Sequence, residues 1–465
     1  MAASQGWNLI LSISSAMVLA RLLTPDDFGL FAVASPLMVF AHQIQDMGLT
    51  SAIIQARTLN KRQLDALFWL ALGVSLVLTM LVVSAAPLIA RLLHDTRLSA
   101  ILAVCSLSIV ATTLAAQPSA LLSRDLRFRV IALRNMAATA LATAASIAIA
   151  ATTHSYWALA VSMILVPLFN FAASVRPARW HPGIPRRGAG TEALIGFGFH
   201  LSGANLLNFA SRNADNLIIA YATSPRELGI YDRAYRILLY PINQALQPLG
   251  QVMIPMLSRC LDKPDRFRSQ YWSAVILIHV LCLPGLVIAM IFPETVIGML
   301  LGPRWLEGAS LFGWFAGAGL FQIYLGTTSW LLISQGRGRE YLYVGLLTSG
   351  VALVSFLIGI GWGIRGVALA YVLGQAIVCL PFQLWIVGRS GHVQHREMAL
   401  RLLPHGCALG LACTLIATFR WQLGSPHMAA LIAETVAAYA TYATTIFVFS
   451  SNRLLILEAI RNRRL

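Results

Sequence analysis

Residues 24–31 read TPDDFGLF and residues 224–231 read SPRELGIY. The octets match position by position: a hydroxyl residue, Pro, a free position, an acid, an apolar residue, Gly, an aliphatic residue and an aromatic one. Each follows an apolar run that carries an Ala near its end (Ala20, Ala220), and each opens another run of helix length. The first half of the pattern is a generic helix start, with an N-cap hydroxyl, Pro at the first helical position and an acid in the first turn. That leaves the matching Gly-aliphatic-aromatic tail unexplained, together with its equivalent placement in two apolar arrays. Repetition at a fixed spacing is the mark of duplicated architecture. In membrane proteins built from related halves, the bound substrate lies between them.

Composition puts the chain in the bilayer. Its 465 residues are 58% hydrophobic and 11% charged, against about a quarter charged in soluble domains. Apolar stretches of about twenty residues, long enough to cross a bilayer, recur from end to end. The formal net charge of +16 suggests nucleic acid in a soluble protein. In a membrane protein it reads instead as Lys and Arg kept in cytoplasmic loops, so no nucleic-acid partner is expected. The six cysteines lie in or beside apolar segments without the close pairing of a zinc site or disulfide framework. Neither metal nor cofactor is expected. The N-terminus has no basic lead before its first apolar run, so a truncated or late start is expected there.

The apolar pattern predicts about fourteen spanning helices, at 3–22, 28–47, 64–88, 98–116, 130–151, 155–175, 194–220, 227–250, 271–300, 309–333, 341–361, 365–387, 399–418 and 427–449. Charge tests the count. With the N-terminus in the cytoplasm, alternate loops collect 23 of the 34 Lys and Arg, and the opposite loops collect seven. The bias holds at every cytoplasmic loop, which places both termini on that side. The Pro-, Gly- and Arg-rich stretch 176–193 divides a six-helix lobe at 1–175 from a second at 194–387. Residues 388–465 add two helices and a basic tail. Six helices separate the octets, so the repeat is parallel, about an axis along the membrane normal.

Four arginines fall in no loop: Arg134, Arg212, Arg233 and Arg236. A charge at the centre of a spanning helix costs about 2.5–3.5 kcal/mol on insertion scales. On the seventh helix, Asn205, Asn208, Arg212 and Asp215 follow at offsets 0, 3, 7 and 10 and share one face. On the eighth, Arg233, Arg236, Tyr240, Asn243 and Gln247 follow at 0, 3, 7, 10 and 14. Such stripes cannot face lipid without leaving polar atoms unsatisfied. Interhelical hydrogen bonds would satisfy them, and Arg212 with Asp215 can pair within one helix. Two arginines on successive stripes favour a water-filled cavity. Guanidinium groups suit phosphate in bidentate geometry, while Tyr, Asn and Gln suit sugar hydroxyls. Weaker stripes are Gln5, Asn8, Ser12 and Ser15 on the first helix, and His42, Gln43, Gln45 and Asp46 at the end of the second. Arg134 lies near a helix end, where it can snorkel. His279 sits inside the ninth apolar run.

The run LARLLTPDDFGLFAVASPLMVF at 19–40, with DMGLTSAIIQ at 46–55, resembles the N-terminal signature of bacterial polysaccharide (Wzx-type) flippases, the polysaccharide-transport branch of the multidrug/oligosaccharidyl-lipid/polysaccharide exporter superfamily. NADNLIIAYATSPRELGIYDRAYRILLYPINQ at 213–244 resembles the start of that family's second lobe. The missing basic lead departs from the family pattern. The resemblance implies an all-α polytopic fold: two pseudo-symmetric six-helix bundles in a V, like multidrug exporters of the superfamily, plus two C-terminal helices. It implies transport in the bacterial inner membrane of undecaprenyl-pyrophosphate-linked oligosaccharide units, with a polysaccharide polymerase and a chain-length regulator as partners. Cationic cavity residues serve such flippases, a role that falls here on Arg212 and Arg236. Asn205, Asn208, Arg233, Tyr240, Asn243 and Gln247 are the further substrate-binding candidates, and Asp46 and Asp215 the candidates for cation coupling. A multidrug antiporter of the same fold would want an acidic cavity, for which the first lobe offers only Asp46. A lipid II flippase fits the opening motif less well. A membrane glycan polymerase or ligase needs catalytic groups on a sizeable outer loop, and the outer loops here are short.

Overall fold

The computed structural model describes residues 2–46, 48–56, 59–184, 218–423 and 428–448. Every element among them is helical, and the chain forms two compact units, Met1–Asp232 and Arg233–Leu465. The boundary between the two falls within one helix.

The first unit contains α1 (Ala2–Leu22), α2 (Pro25–Asp46), α3 (Leu49–Gln55), α4 (Lys61–Leu92), α5 (Arg97–Arg124), α6 (Phe128–Thr153) and α7 (Trp157–Ala178). Its central helix is α5, which packs against α2, α3, α4, α6 and α7. Its inner face is rich in Ala, Ser and Thr, small residues that let helix backbones approach closely in lipid. By contrast the apolar window of α4 is only 17% buried, and its Val77, Met80 and Leu88 side chains point outward. Hydropathy does not separate these two helices; packing does. Gly48, at a φ of 66°, turns the chain from α2 into α3, a conformation that favours glycine. The Arg124 guanidinium then donates to the carbonyls of Ile53 (2.9 Å) and Ala56 at the end of α3. Those are carbonyls that a helix end otherwise leaves unpaired.

The stretch after α7 is docked rather than loose as far as residue 184. Trp180 packs edge-on against Phe68, with ring centroids 5.3 Å apart. Asp65 accepts from the Gly183 amide at 3.0 Å, and the Trp69 indole donates to the Gly183 carbonyl at 2.7 Å.

Helix α8 (Pro225–Ser258) carries the chain into the second unit. There follow α9 (Pro264–Ile291), α10 (Pro293–Leu300), α11 (Ala309–Ser334), α12 (Gly338–Gly359), α13 (Gly363–Gly374), a π-helical turn at Gln375–Cys379, α14 (Leu380–Arg389), α15 (His395–Leu423) and α16 (Met428–Val448). The windows of α9 and α11 are 61% and 67% buried and form the centre. Thr328 donates to Gln383 at 2.8 Å and Gln322 to the Tyr371 hydroxyl at 3.0 Å, typical helix-to-helix bonds worth about 0.6 kcal/mol each.

Among the described residues, nine helices are long and apolar enough to cross a membrane, against about fourteen expected. Part of the difference lies outside the described residues and part is physical. The expected helix at 194–220 falls mostly on residues 185–217, outside the described residues. α8 has uncharged stretches of spanning length, but Asn243, Gln247 and Gln251 among them keep it too polar to qualify. The expected single run 271–300 breaks at Phe292, because Pro293 disfavours helical backbone in the residue before it. The expected helices at 341–361 and 365–387 form one 52-residue stretch, Gly338–Arg389, that doubles back at Gly363, whose φ is 68°. A Cβ on Gly359 would lie 2.6 Å from the Cα of Val367, so glycine permits the two arms to touch.

Candidate functional site

The two octets use the same local chemistry. Thr24 caps α2: its amide and hydroxyl donate to Asp27 Oδ2 at 2.9 and 2.6 Å, and the Asp27 amide donates back to the Thr24 hydroxyl at 3.3 Å. Ser224 and Glu227 repeat this reciprocal box at the start of α8, with distances of 3.3–3.4 Å. Pairing of an N-cap hydroxyl with an acid three residues on satisfies two orphan donors at once.

The octets also meet each other, within the first unit. A Cβ on Gly29 would overlap the carbonyl of Pro225, and a Cβ on Gly229 would overlap the carbonyl of Pro25. The contact is reciprocal, as a duplicated element requires. Around it, Leu30, Val33, Leu93, Leu98, Ala220 and Leu228 line a narrow apolar crevice. The turn that brings Leu93 and Leu98 there is pinned by an Asp95–Arg97 ion pair at 2.7 Å, and the Arg97 guanidinium holds the Asp95 carboxyl below the usual range. The sequence shows both glycines as matched positions of the two octets; that they approach one another is visible only in three dimensions.

Beyond its octet, α8 is two-faced. Leu238, Ile242, Met253 and Leu257 are buried along one side. Arg236, Asn243 and Gln247 are exposed along the other, at offsets 0, 7 and 11, which return to nearly the same direction on a helix. Arg233 is half-buried beside this strip. Tyr240 lies in the helix between them, without a described side chain. Four candidates, Asn205, Asn208, Arg212 and Asp215, lie outside the described residues. An exposed strip carrying an arginine and two amides is unsuited to hydrocarbon. On the packed side of α8, Tyr235 meets Phe315 and Tyr371, with ring centroids 5.3 and 6.3 Å away.

The end of α2 is a separate polar place. Asp46 is half-buried, accepts from the Thr50 hydroxyl and lines a crevice with Gln45, Thr113 and Gln117. His42 pairs with the Ser108 hydroxyl at 3.1 Å. These contacts are helix-to-helix or helix-ending bonds. Arg134 is buried and donates to Ser174, so it turns inward toward α7 instead of snorkelling.

The sequence singles out His279 but not its surroundings. His405 stands against it, ring centroids 4.6 Å apart, and Tyr442 is bonded to His405 at 2.5 Å. A His on α15 and a Tyr on α16 carry no sequence signal of contact with α9.

Comparison with known proteins agrees with this architecture. A family model described as "Polysaccharide biosynthesis protein" matches residues 18–310. The chain is 23% identical over 374 residues to the lipopolysaccharide biosynthesis protein WzxC of Escherichia coli (strain K12), covering 79% of this chain and 75% of that protein. It is 25% identical over 366 residues to the succinoglycan biosynthesis transport protein ExoT of Rhizobium meliloti (strain 1021), covering 77% and 69%. In fold it is similar to the lipid II flippase MurJ in an inward closed conformation, with a TM-score of 0.79 at 12% identity over 97% of this chain and 99% of that one. It is also similar to an inward-facing multidrug resistance MATE family transporter, with a TM-score of 0.58 at 16% identity over 81% and 93%. The all-α multi-pass fold is thus that of these membrane proteins, and, with well over half its length inside the matching model, the chain belongs to the polysaccharide biosynthesis protein family.

Proposed function

We propose that the protein flips polyprenyl-pyrophosphate-linked glycans across the bacterial inner membrane for extracellular polysaccharide or lipopolysaccharide assembly. The observation that carries this reading is the exposed strip of α8. It joins a guanidinium suited to phosphate with amides suited to sugar hydroxyls, on a helix otherwise packed by its apolar side. Relatives named for lipopolysaccharide, succinoglycan and teichuronic acid biosynthesis support the substrate class.

In this reading the chain has fourteen spanning helices in two six-helix lobes, at 1–175 and 194–387, joined by 176–193 and followed by two more helices, with both termini cytoplasmic. Arg212 and Arg236 hold the diphosphate. Asn205, Asn208, Tyr240, Asn243 and Gln247 meet the sugars, and Arg233 is a further substrate-binding position. The polyprenyl tail stays in lipid. Asp46 and Asp215 are the places for a coupling cation. A polymerase and a chain-length regulator receive the unit on the far side.

The test is reconstitution of the full chain into vesicles holding a fluorescent polyprenyl-pyrophosphate-linked oligosaccharide. Translocation is read by access of a membrane-impermeant glycan-cleaving enzyme. Protein-dependent exposure of the lipid-linked glycan is expected. Extrusion of ethidium with no movement of the lipid-linked glycan would overturn the reading in favour of a multidrug antiporter.

A further inference from the structure

In the second unit, α15 and α16 lie against α9 along a seam that has three parts. At one end Val287, Ile288, Phe292, Ile416 and Ala438 form an apolar cluster. Nearby, the Tyr439 hydroxyl donates to the Leu281 carbonyl at 2.9 Å. At the other end Glu397 accepts from the Trp272 indole at 2.8 Å and lies 3.6 Å from the Arg268 guanidinium. Both ends are satisfied. The middle is not.

The middle holds His279 from α9 and His405 from α15, 2% and 3% exposed. Their rings meet edge to face, with centroids 4.6 Å apart and planes at 87°. Neither ring nitrogen of His279 has a hydrogen-bond partner, and nor does His405 Nε2. Only His405 Nδ1 is engaged, with the Tyr442 hydroxyl of α16 at 2.5 Å. Buried polar atoms are nearly always paired, so three unpaired nitrogens on two touching imidazoles call for an explanation. A neutral imidazole carries one N–H donor and one acceptor nitrogen, and the edge-to-face packing leaves both unused on His279. A proton added to one ring makes a charged N–H for which the bare nitrogen of the other ring is an acceptor. Histidine is also the side chain whose charge changes nearest neutral pH.

The other titratable groups on the surrounding elements are few. α9 itself carries Tyr271, bonded to Thr327 at 3.2 Å, and Cys282. Tyr324 of α11 has its ring centroid 6.5 Å from His279. α15 carries Arg401 one turn before His405, Cys407 and Cys413 after it, and Glu397, already engaged at the seam's end. α16 carries Tyr442, Tyr439 and, two turns from Tyr442, Glu434. Glu294 of α10 lies beyond the apolar end of the seam. The immediate neighbours of the pair are hydroxyls, not carboxylates. An imidazolium here is poorly solvated as long as the seam is closed.

We infer that His279 and His405 form a one-proton binding site whose occupancy opens the seam between α9 and the last two helices. Neutral, the pair favours the closed packing. Protonated, it favours a packing that admits water. Acid therefore loosens α15 and α16 and alkali tightens them. The site stands apart from the α8 strip and does not depend on which substrate is carried.

The test reads the proton and the seam directly, in full-length protein in lipid nanodiscs. Spin labels on ketone-bearing residues replacing Leu277 and Val436, both exposed, report the distance between α9 and α16. Between pH 8 and pH 5 the wild type is expected to shift toward longer distances and to take up one more proton than the His279→Gln/His405→Gln variant, which is expected not to shift. Each single Gln variant is expected to lose the same one proton, because the site needs both rings. Tyr442→Phe keeps both rings and is expected to move the midpoint of the transition without abolishing it; this variant guards against a fold lost in the double replacement. A wild-type distance independent of pH, a shift that survives the double replacement, or single variants that each keep a proton step would overturn the proposal.

Discussion

At the residue scale, two glycines and one arginine carry the most specific expectations. Gly29 and Gly229 each face the other octet's backbone, which cannot swing aside as a side chain can. Overpacking of this kind typically costs about 1–3 kcal/mol. Gly29→Ala and Gly229→Ala are each expected to lower the thermal midpoint of the detergent-solubilised protein, while Gly73→Ala, where an added Cβ meets nothing, is expected to leave it unchanged. Equal midpoints for all three would remove the octet contact from the account. Arg236 is judged on transport. A hydrogen bond to a charged group contributes about 1.5–3 kcal/mol, so Arg236→Ala is expected to slow translocation of the lipid-linked glycan roughly tenfold to a hundredfold. Arg236→Lys keeps the charge but loses the two-pronged geometry, so it is expected to fall between. The exposed position of Arg236 separates this loss from a folding defect, which size-exclusion chromatography of each variant checks.

At the element scale, the limits of the sequence become physical. The helix starts at Thr24 and Ser224 are legible because a cap is a local device, made by residues three apart. The stripe on α8 is legible because the helical period fixes which residues share a side. What periodicity does not carry is the identity of the neighbour. Both α4 and α5 read as apolar spans, yet one is peripheral and the other central, because in lipid the small residues of α5 rather than hydropathy decide contact. The pairing of His279 with His405 is unreadable for the same reason. The strip itself gives a direct expectation. Cysteines placed one at a time at Arg236, Asn243 and Gln247 are expected to react with a membrane-impermeant maleimide in intact vesicles, above the background of the parent protein. Cysteines at Leu238 and Ile242, on the buried side, are expected to stay at that background. Protection of all three strip positions with reaction at the buried pair would reverse the face assigned to water.

At the scale of the whole molecule, the charge distribution supports a direction as well as a topology. The basic bias of alternate loops leads to the expectation that a periplasm-dependent reporter is silent when fused after Asp262 and active when fused after Gly302. The same orientation sets the sign of the energetics. The substrate head group carried outward is anionic, and the bacterial interior is electrically negative. Moving one charge through the full field is worth about 2.3 kcal/mol per 100 mV, or up to roughly fiftyfold in a ratio of outward to inward flux. In vesicles with a potassium diffusion potential set by valinomycin, translocation is therefore expected to accelerate when the side that the glycan leaves is made negative. It is expected to slow when the sign is reversed. A rate blind to the potential would mean that the head group crosses with its charge compensated, by the protein's own arginines moving with it or by a cation taken along. Repeating the measurement with Asp46→Asn and Asp215→Asn separates the two. Recovery of potential dependence in either variant would place the compensating cation at that carboxylate, and its absence in both would leave the moving charge to the arginines.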